Sequence, residues 1–132
     1  MNSATRTILT VDDEPFVRKL ICTFLERAGF RVLEADSGAE ALAIFNAQPE
    51  IAAVLTDIRM PGMDGNALAR KLIHLRPALP LAFVSAFETD REEDLQDYPA
   101  LVKPFTCDQL LARVTSLLSC PARAGDPAII DA

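Results

Sequence analysis

Five side chains at the ends of four short apolar runs carry the chemistry this sequence offers. Asp12 and Asp13 follow Thr7-Ile8-Leu9-Thr10-Val11, and Asp57 follows the run from Ile51 to Thr56. Ser85 follows Leu81-Ala82-Phe83-Val84, and Lys103 follows Ala100-Leu101-Val102. If the runs are parallel strands, their ends meet along one sheet edge, and three acids and a lysine share a pocket. Crowded carboxylates repel, and burying them unpaired is costly. A divalent cation resolves the repulsion, and oxygen-only ligands with room for water favour Mg²⁺. Asp13 and Asp57 are the expected direct ligands, with Asp12 direct or through water. The backbone carbonyl of Arg59, where the loop turns, is a further donor.

The free oxygen of Asp57 is then a nucleophile toward phosphorus. Lys103 pairs with the incoming phosphoryl group, and the Ser85 hydroxyl hydrogen-bonds to it. The product is an aspartyl phosphate, a mixed anhydride that water attacks, so the modification is reversible. Each residue also has a plainer reading. Asp12-Asp13-Glu14 before Pro15 charges a helix N-terminus favourably, Asp57 is a loop acid, Lys103 is solvated, and Ser85 caps a helix. Their joint placement at one edge favours the functional reading.

The elements that position them alternate in type. Thr7 to Val11 is β-branched and apolar, as a strand requires. After Pro15, helical spacing places Phe16, Leu20, Phe24 and Leu25 on one stripe, beside Val17, Ile21 and Ala28, and Gly29 ends the helix. Phe30 to Ala35 reads as a second strand, and Ser37-Gly38-Ala39-Glu40 is a capping box before Ala41, Leu42, Ile44 and Phe45. Ile51 to Thr56 lacks polar alternation, as in a central strand covered on both faces. Asp64 caps a helix through Leu68, Leu72, Ile73 and Leu75, closed by Pro77. Leu81 to Val84 and Ala100 to Val102 are the last strands. Thr106 and Gln109 form a second capping box, opening a helix through Leu110, Leu111, Val114, Leu117 and Leu118. This βα alternation predicts an α/β fold, a doubly wound parallel sheet with helices on both faces.

The acidic pair Asp12-Asp13, the segment Asp57 to Gly65, the pair Ser85-Ala86 and Lys103-Pro104-Phe105 together resemble the receiver domains of two-component response regulators. The likeness runs from about Arg6 to Leu118. It implies a flavodoxin-like sheet of five strands in order 2-1-3-4-5 and residues 1–120 as the receiver domain, while the composition from Pro121 onward predicts a mobile tail over 121–132. It also implies Asp57 as phosphoacceptor, Asp12 and Asp13 as Mg²⁺ ligands, Ser85 and Lys103 as the switch pair, and a cis Lys103-Pro104 peptide. The expected donor is a phosphohistidine on a sensor histidine kinase or a histidine phosphotransfer protein. The downstream protein partner is not specified.

Two departures from the family stand out. Receivers usually carry an aromatic residue three positions before the lysine, and here that position is Ala100. Tyr98 or Phe87 are the candidates to replace it. The span between Ser85 and Lys103 is also short, and Leu95 is the only apolar residue from Glu88 to Asp97. A helix there has no stripe to bury, so the fourth helix is expected to be short, frayed or replaced by a loop. Arg59 and Phe87 sit two residues beyond Asp57 and Ser85, at the rim, where their bulk would restrict attacking water.

Bulk properties exclude other classes. The chain has 132 residues, half of them apolar, enough for one domain with a complete core. Of the net charge of −6, residues 88 to 97 hold −5, six acids against Arg91 alone. No basic stripe serves nucleic acid, and no basic amphipathic helix or long apolar stretch serves a membrane. No secretory signal opens the sequence. Cys22, Cys107 and Cys120 lack metal-ligand spacing and read as reduced cytoplasmic thiols, two of them in the core. His74 has no motif around it and reads as a helix-surface residue.

The expected function is a phosphoacceptor module of a bacterial two-component system or phosphorelay, acting through protein contacts as a stand-alone regulator, a shuttle or sink, or part of a hybrid kinase. It is not expected to be an enzyme beyond its own phosphorylation and dephosphorylation. An aspartate-nucleophile phosphohydrolase is the alternative, though it usually has a second acid two residues after the nucleophile, where Arg59 stands. A scaffold that is never phosphorylated is a third reading, against which the complete site set speaks.

Overall fold

The computed structural model describes residues 5–119. The strands are β1 (Thr7–Val11), β2 (Arg31–Ala35), β3 (Ile51–Thr56), β4 (Leu81–Ser85) and β5 (Ala100–Val102). They form one sheet in the order β2-β1-β3-β4-β5, every pairing parallel. The helices are α1 (Pro15–Arg27), α2 (Gly38–Ala47), α3 (Gly65–Leu75) and α4 (Cys107–Ser119). The fold is the doubly wound α/β arrangement that the alternation predicts.

Both sheet faces are covered, which is why β1, β3 and β4 are apolar without alternation. Leu9, Val11, Val54, Leu81 and Phe83 face α2 and α3, packing with Phe45, Leu68 and Leu72. Ile8, Leu55, Ala82 and Val84 face α1 and α4, packing with Ile21, Leu25, Leu110 and Val114. Successive strand residues point to opposite faces, so each buried strand feeds both cores.

Local signals set the helix ends. The Ser37 hydroxyl accepts from the Glu40 N–H at 3.1 Å, and Asp64 Oδ1 accepts from the Ala67 N–H at 2.9 Å. Thr106 and Gln109 form a reciprocal capping box at 2.8 and 3.1 Å. At the end of α1, Gly29 takes φ 98°, a left-handed conformation that suits glycine.

Between β4 and β5 the expected fourth helix is replaced by two 3₁₀ turns, Glu88–Asp90 and Glu93–Leu95. Leu95 alone among residues 88 to 97 is buried. Polar contacts attach the segment to its neighbours. Arg70 of α3 pairs with Asp94 at 2.8 Å and also with Glu92, and Asn66 donates to the Asp90 carbonyl at 2.9 Å while accepting from the Glu92 N–H at 2.9 Å.

Several expectations are corrected. β2 begins at Arg31, because the Phe30 N–H turns back to the Leu25 carbonyl at 3.1 Å in closing α1. β4 runs through Ser85, whose carbonyl accepts from Lys103 N–H at 2.8 Å. Phe16 is not on the core stripe: it is 77 % exposed in the first turn of α1. Of the cysteines, Cys22 is buried, and its thiol is pushed up to about 12, chiefly by burial, which keeps it inert. Cys107 is only half-buried. Cys120 and the expected tail, 121–132, lie outside the described residues.

Candidate functional site

Sheet register brings the predicted residues together. Val11 lies opposite Thr56, so Asp12 and Asp57 leave their strands side by side, and the Asp57 N–H donates to the Val11 carbonyl at 2.8 Å. Thr56 lies opposite Phe83 and Ser85 opposite Val102. Ser85 and Lys103 therefore stand on the far side of Asp57 from Asp12 and Asp13, slightly farther out along the edge. Three carboxylate oxygens, from Asp12, Asp13 and Asp57, lie within 4.8 Å of one another.

Asp12 and Asp57 are buried and Asp13 is exposed. Lys103 Nζ reaches between the buried pair, 3.2 Å from Asp12 Oδ2 and 3.6 Å from Asp57 Oδ2. Backbone donors hold the other oxygens: Ile58 N–H to Asp57 Oδ1 at 2.8 Å, and Glu14 N–H to Asp12 Oδ1 at 2.9 Å. One lysine does not balance three acids. Burial, and then repulsion from Asp12, push the Asp57 carboxyl up to about 6, against the pull of Lys103. Oxygen donors alone and excess negative charge suit a hard divalent cation.

The loop after Asp57 is shaped by close packing. The Gly65 N–H donates to the Ile58 carbonyl at 2.7 Å, and a Cβ on Gly65 would stand 2.1 Å from the Asp57 carbonyl oxygen. Only glycine lets α3 start this close to the strand end. The Lys103-Pro104 peptide is cis, as the resemblance implied.

The Arg59 side chain pairs with Asp90 and not with the three pocket carboxylates. Its guanidinium forms a two-bond pair with Asp90, Nε to Oδ2 at 2.9 Å and Nη2 to Oδ1 at 2.8 Å, and lies over the Phe87 ring, 5.1 Å from its centre. Ser85 Oγ donates to Asp90 Oδ2 at 2.9 Å. Sequence reasoning placed Arg59 and Phe87 at the rim but missed Asp90, which it counted only as part of the acidic run. The signal that could have found it is an acid within reach of the loop after Ser85. His74 is exposed in the last turn of α3, as expected. Tyr98 and Ala100 both pack against the core formed with α2 and α3.

Both the sequence and the fold have known relatives. The family model for the response regulator receiver domain matches residues 8–115. The C4-dicarboxylate transport transcriptional regulatory protein DctD of Rhizobium meliloti is 40% identical over 113 residues, covering 83% of this chain and 24% of that protein. The transcriptional regulatory protein SrrA of Staphylococcus aureus is 38% identical over 118 residues, covering 84% and 47%. The chain thus spans between a quarter and a half of these curated relatives. Among solved structures, the response regulator TrrA of Thermotoga maritima in complex with Mg(2+)-BeF superposes with a TM-score of 0.80 at 30% identity, covering 86% of this chain and all of that one. The receiver domain of the hybrid histidine kinase CckA gives 0.74 at 34% identity, with 85% and 98% covered. The chain belongs to the response regulator receiver domain family.

Proposed function

We propose that this receiver takes a phosphoryl group from a phosphohistidine onto Asp57, in the cytoplasm, and hands the change on through protein contacts. The observation that carries this reading is the meeting of three carboxylates within 4.8 Å beside Lys103. Asp57 Oδ2 attacks phosphorus, the P–N bond breaks, and its electron pair leaves on the imidazole nitrogen, which takes a proton. Lys103, now paired with two carboxylates, turns its charge to the phosphoryl oxygens. The Ser85 hydroxyl supplies a further donor. Asp12, Asp13 and Asp57, with the Arg59 backbone carbonyl, would hold Mg²⁺, which supplies positive charge against the incoming phosphoryl group.

The donor is a sensor histidine kinase or a histidine phosphotransfer protein. Supporting a docking face is an apolar groove of about 370 Å³ lined by Phe16, Val17, Leu20, Pro104 and Phe105, with Lys103 at its wall. The exposed Phe16 is explained if a partner helix covers it. Among the described residues no helix is long and apolar enough to cross a membrane.

The test is to record amide spectra with Mg²⁺ and beryllofluoride, beside Asp57→Asn. Shifts at residues 11–14, 57–60 and 103–105 that vanish in Asp57→Asn support the reading. Equal responses in both proteins, or none where Mg²⁺ demonstrably binds, overturn it in favour of a scaffold.

A further inference from the structure

The Ser85 hydroxyl, the donor expected to reach a phosphoryl group on Asp57, is already engaged. It donates to Asp90 Oδ2 at 2.9 Å, and the same oxygen accepts from Arg59 Nε at 2.9 Å. A hydroxyl has one proton, so it serves Asp90 or a phosphoryl oxygen but not both at once. The second donor on Asp90, Arg59, stands two residues past Asp57 with its guanidinium between the Phe87 ring and the Asp90 carboxylate. Asp90 thus ties the end of β4 to the loop that follows Asp57, through side chains rather than backbone.

A phosphoryl group on Asp57 changes this balance. It brings roughly two negative charges and three acceptor oxygens to the pocket, at whose rim stand the Ser85 hydroxyl and the Arg59 guanidinium. It attracts both donors and repels the Asp90 carboxylate. Asp90 belongs to the first 3₁₀ turn, which buries none of its residues, so no core packing resists its departure. Farther along, Leu95 is buried and Arg70 holds Asp94 at 2.8 Å. Asn66 of α3 also bonds the Asp90 carbonyl and the Glu92 N–H, each at 2.9 Å, so the backbone from Asp90 onward stays attached to α3.

We propose that Asp90 is a positioning residue that withholds the Ser85 hydroxyl and the Arg59 guanidinium until Asp57 is phosphorylated, and that loss of both donors frees the Asp90 carboxylate and releases residues 86 to 89 as the signalling change. This rests on Asp57 being the phosphoacceptor. It gives the chain a coupling route through a carboxylate at a site where Ala100 leaves no aromatic ring to move.

The Arg59 Nε–H signal reports the pair directly, and hydrogen exchange reports the segment. In the wild type, adding Mg²⁺ and beryllofluoride should shift the Arg59 Nε–H signal and speed exchange of the Asp90 and Arg91 amides, which close the first turn, by about tenfold, leaving Glu92 and Leu95 protected. Asp90→Ala should show that faster exchange without beryllofluoride, and should load from acetyl phosphate several-fold faster. Asp90→Asn, which keeps an acceptor but loses the charge, should fall between. An unmoved Arg59 signal together with Asp57-dependent pocket shifts would overturn the proposal while leaving the proposed function intact, and so would wild-type loading by Asp90→Ala. Absence of any Asp57-dependent pocket shift would remove both. If Asp90→Ala does not fold, the wild-type Arg59 signal decides alone.

Discussion

The pocket and the 88–97 segment are both acidic, yet their acids behave in opposite ways. In the pocket, Asp12, Asp13 and Asp57 share the single charge of Lys103, and the Asp57 carboxyl is pushed up to about 6. In the segment, Arg59 holds Asp90, and Arg70 holds Asp94, below the ordinary carboxylate range. The residue type is the same, and the neighbours decide the outcome. The pocket is left short of positive charge, a condition that a cation relieves. In the segment Asp90 and Asp94 are each paired with an arginine, which makes them part of a structural latch, exposed and open to screening.

Four variants or conditions separate the two regions, the first expected to have the largest effect. Gly65→Ala forces a Cβ to 2.1 Å from the Asp57 carbonyl oxygen, and should cost about 3 kcal/mol by overpacking. Urea unfolding measures it, and a cost near zero would mean that the pocket loop yields as freely as the segment. Leu95→Ala removes the one buried side chain of residues 88 to 97. About 2 kcal/mol is expected, the low end for a buried leucine, because a thin segment can collapse into the space. Its hydrogen exchange should rise throughout, whereas the pocket amides should not change.

Third, the two regions respond oppositely to pH. The metal-free pocket binds a proton more readily than the unfolded chain, since Asp57 stands at about 6 instead of its ordinary 3.8. Its contribution to stability is full below about pH 4 and is lost as pH rises through about 6. Asp57→Asn should therefore be more stable than the wild type at pH 7.5, on the order of 1 kcal/mol after allowance for solvent screening, and nearly equal at pH 4. Mg²⁺ should narrow that gap. Asp90 and Asp94 are shifted down, so their contribution is present above the ordinary carboxylate range and lost as pH falls through their lowered values. Thermal unfolding of Asp57→Asn and of Asp90→Asn across this range resolves the two. Last, Arg70→Ala should have the smallest effect on stability, one that vanishes at high salt, as an exposed pair does.

What the sequence made legible follows the same division. The strand ends that carry Asp12, Asp57 and Lys103 were readable because apolar runs stop abruptly at charged residues, and the parallel register then aligns them. Both capping boxes, Ser37 with Glu40 and Thr106 with Gln109, were readable because their partners are three residues apart. The missing helix was readable from the lack of an apolar stripe. The Arg59 to Asp90 pair was not, because it joins residues 31 apart across two loops whose paths no local pattern encodes. Phe16 misled for a related reason: helical spacing gives the face of a residue but not whether another element covers it. The attachment of Arg70 to Glu92 and Asp94 was equally hidden, since an arginine on a helix surface has no preferred distant partner.

The most direct test of the central claim is the mass of the intact protein after incubation with Mg²⁺ and acetyl phosphate. The pocket chemistry predicts one added phosphoryl group in the wild type, lost to hydroxylamine as an acyl phosphate is, and none in Asp57→Asn. A phosphoryl group retained by Asp57→Asn, or a wild type that never gains one while binding Mg²⁺, would contradict the role given to Asp57.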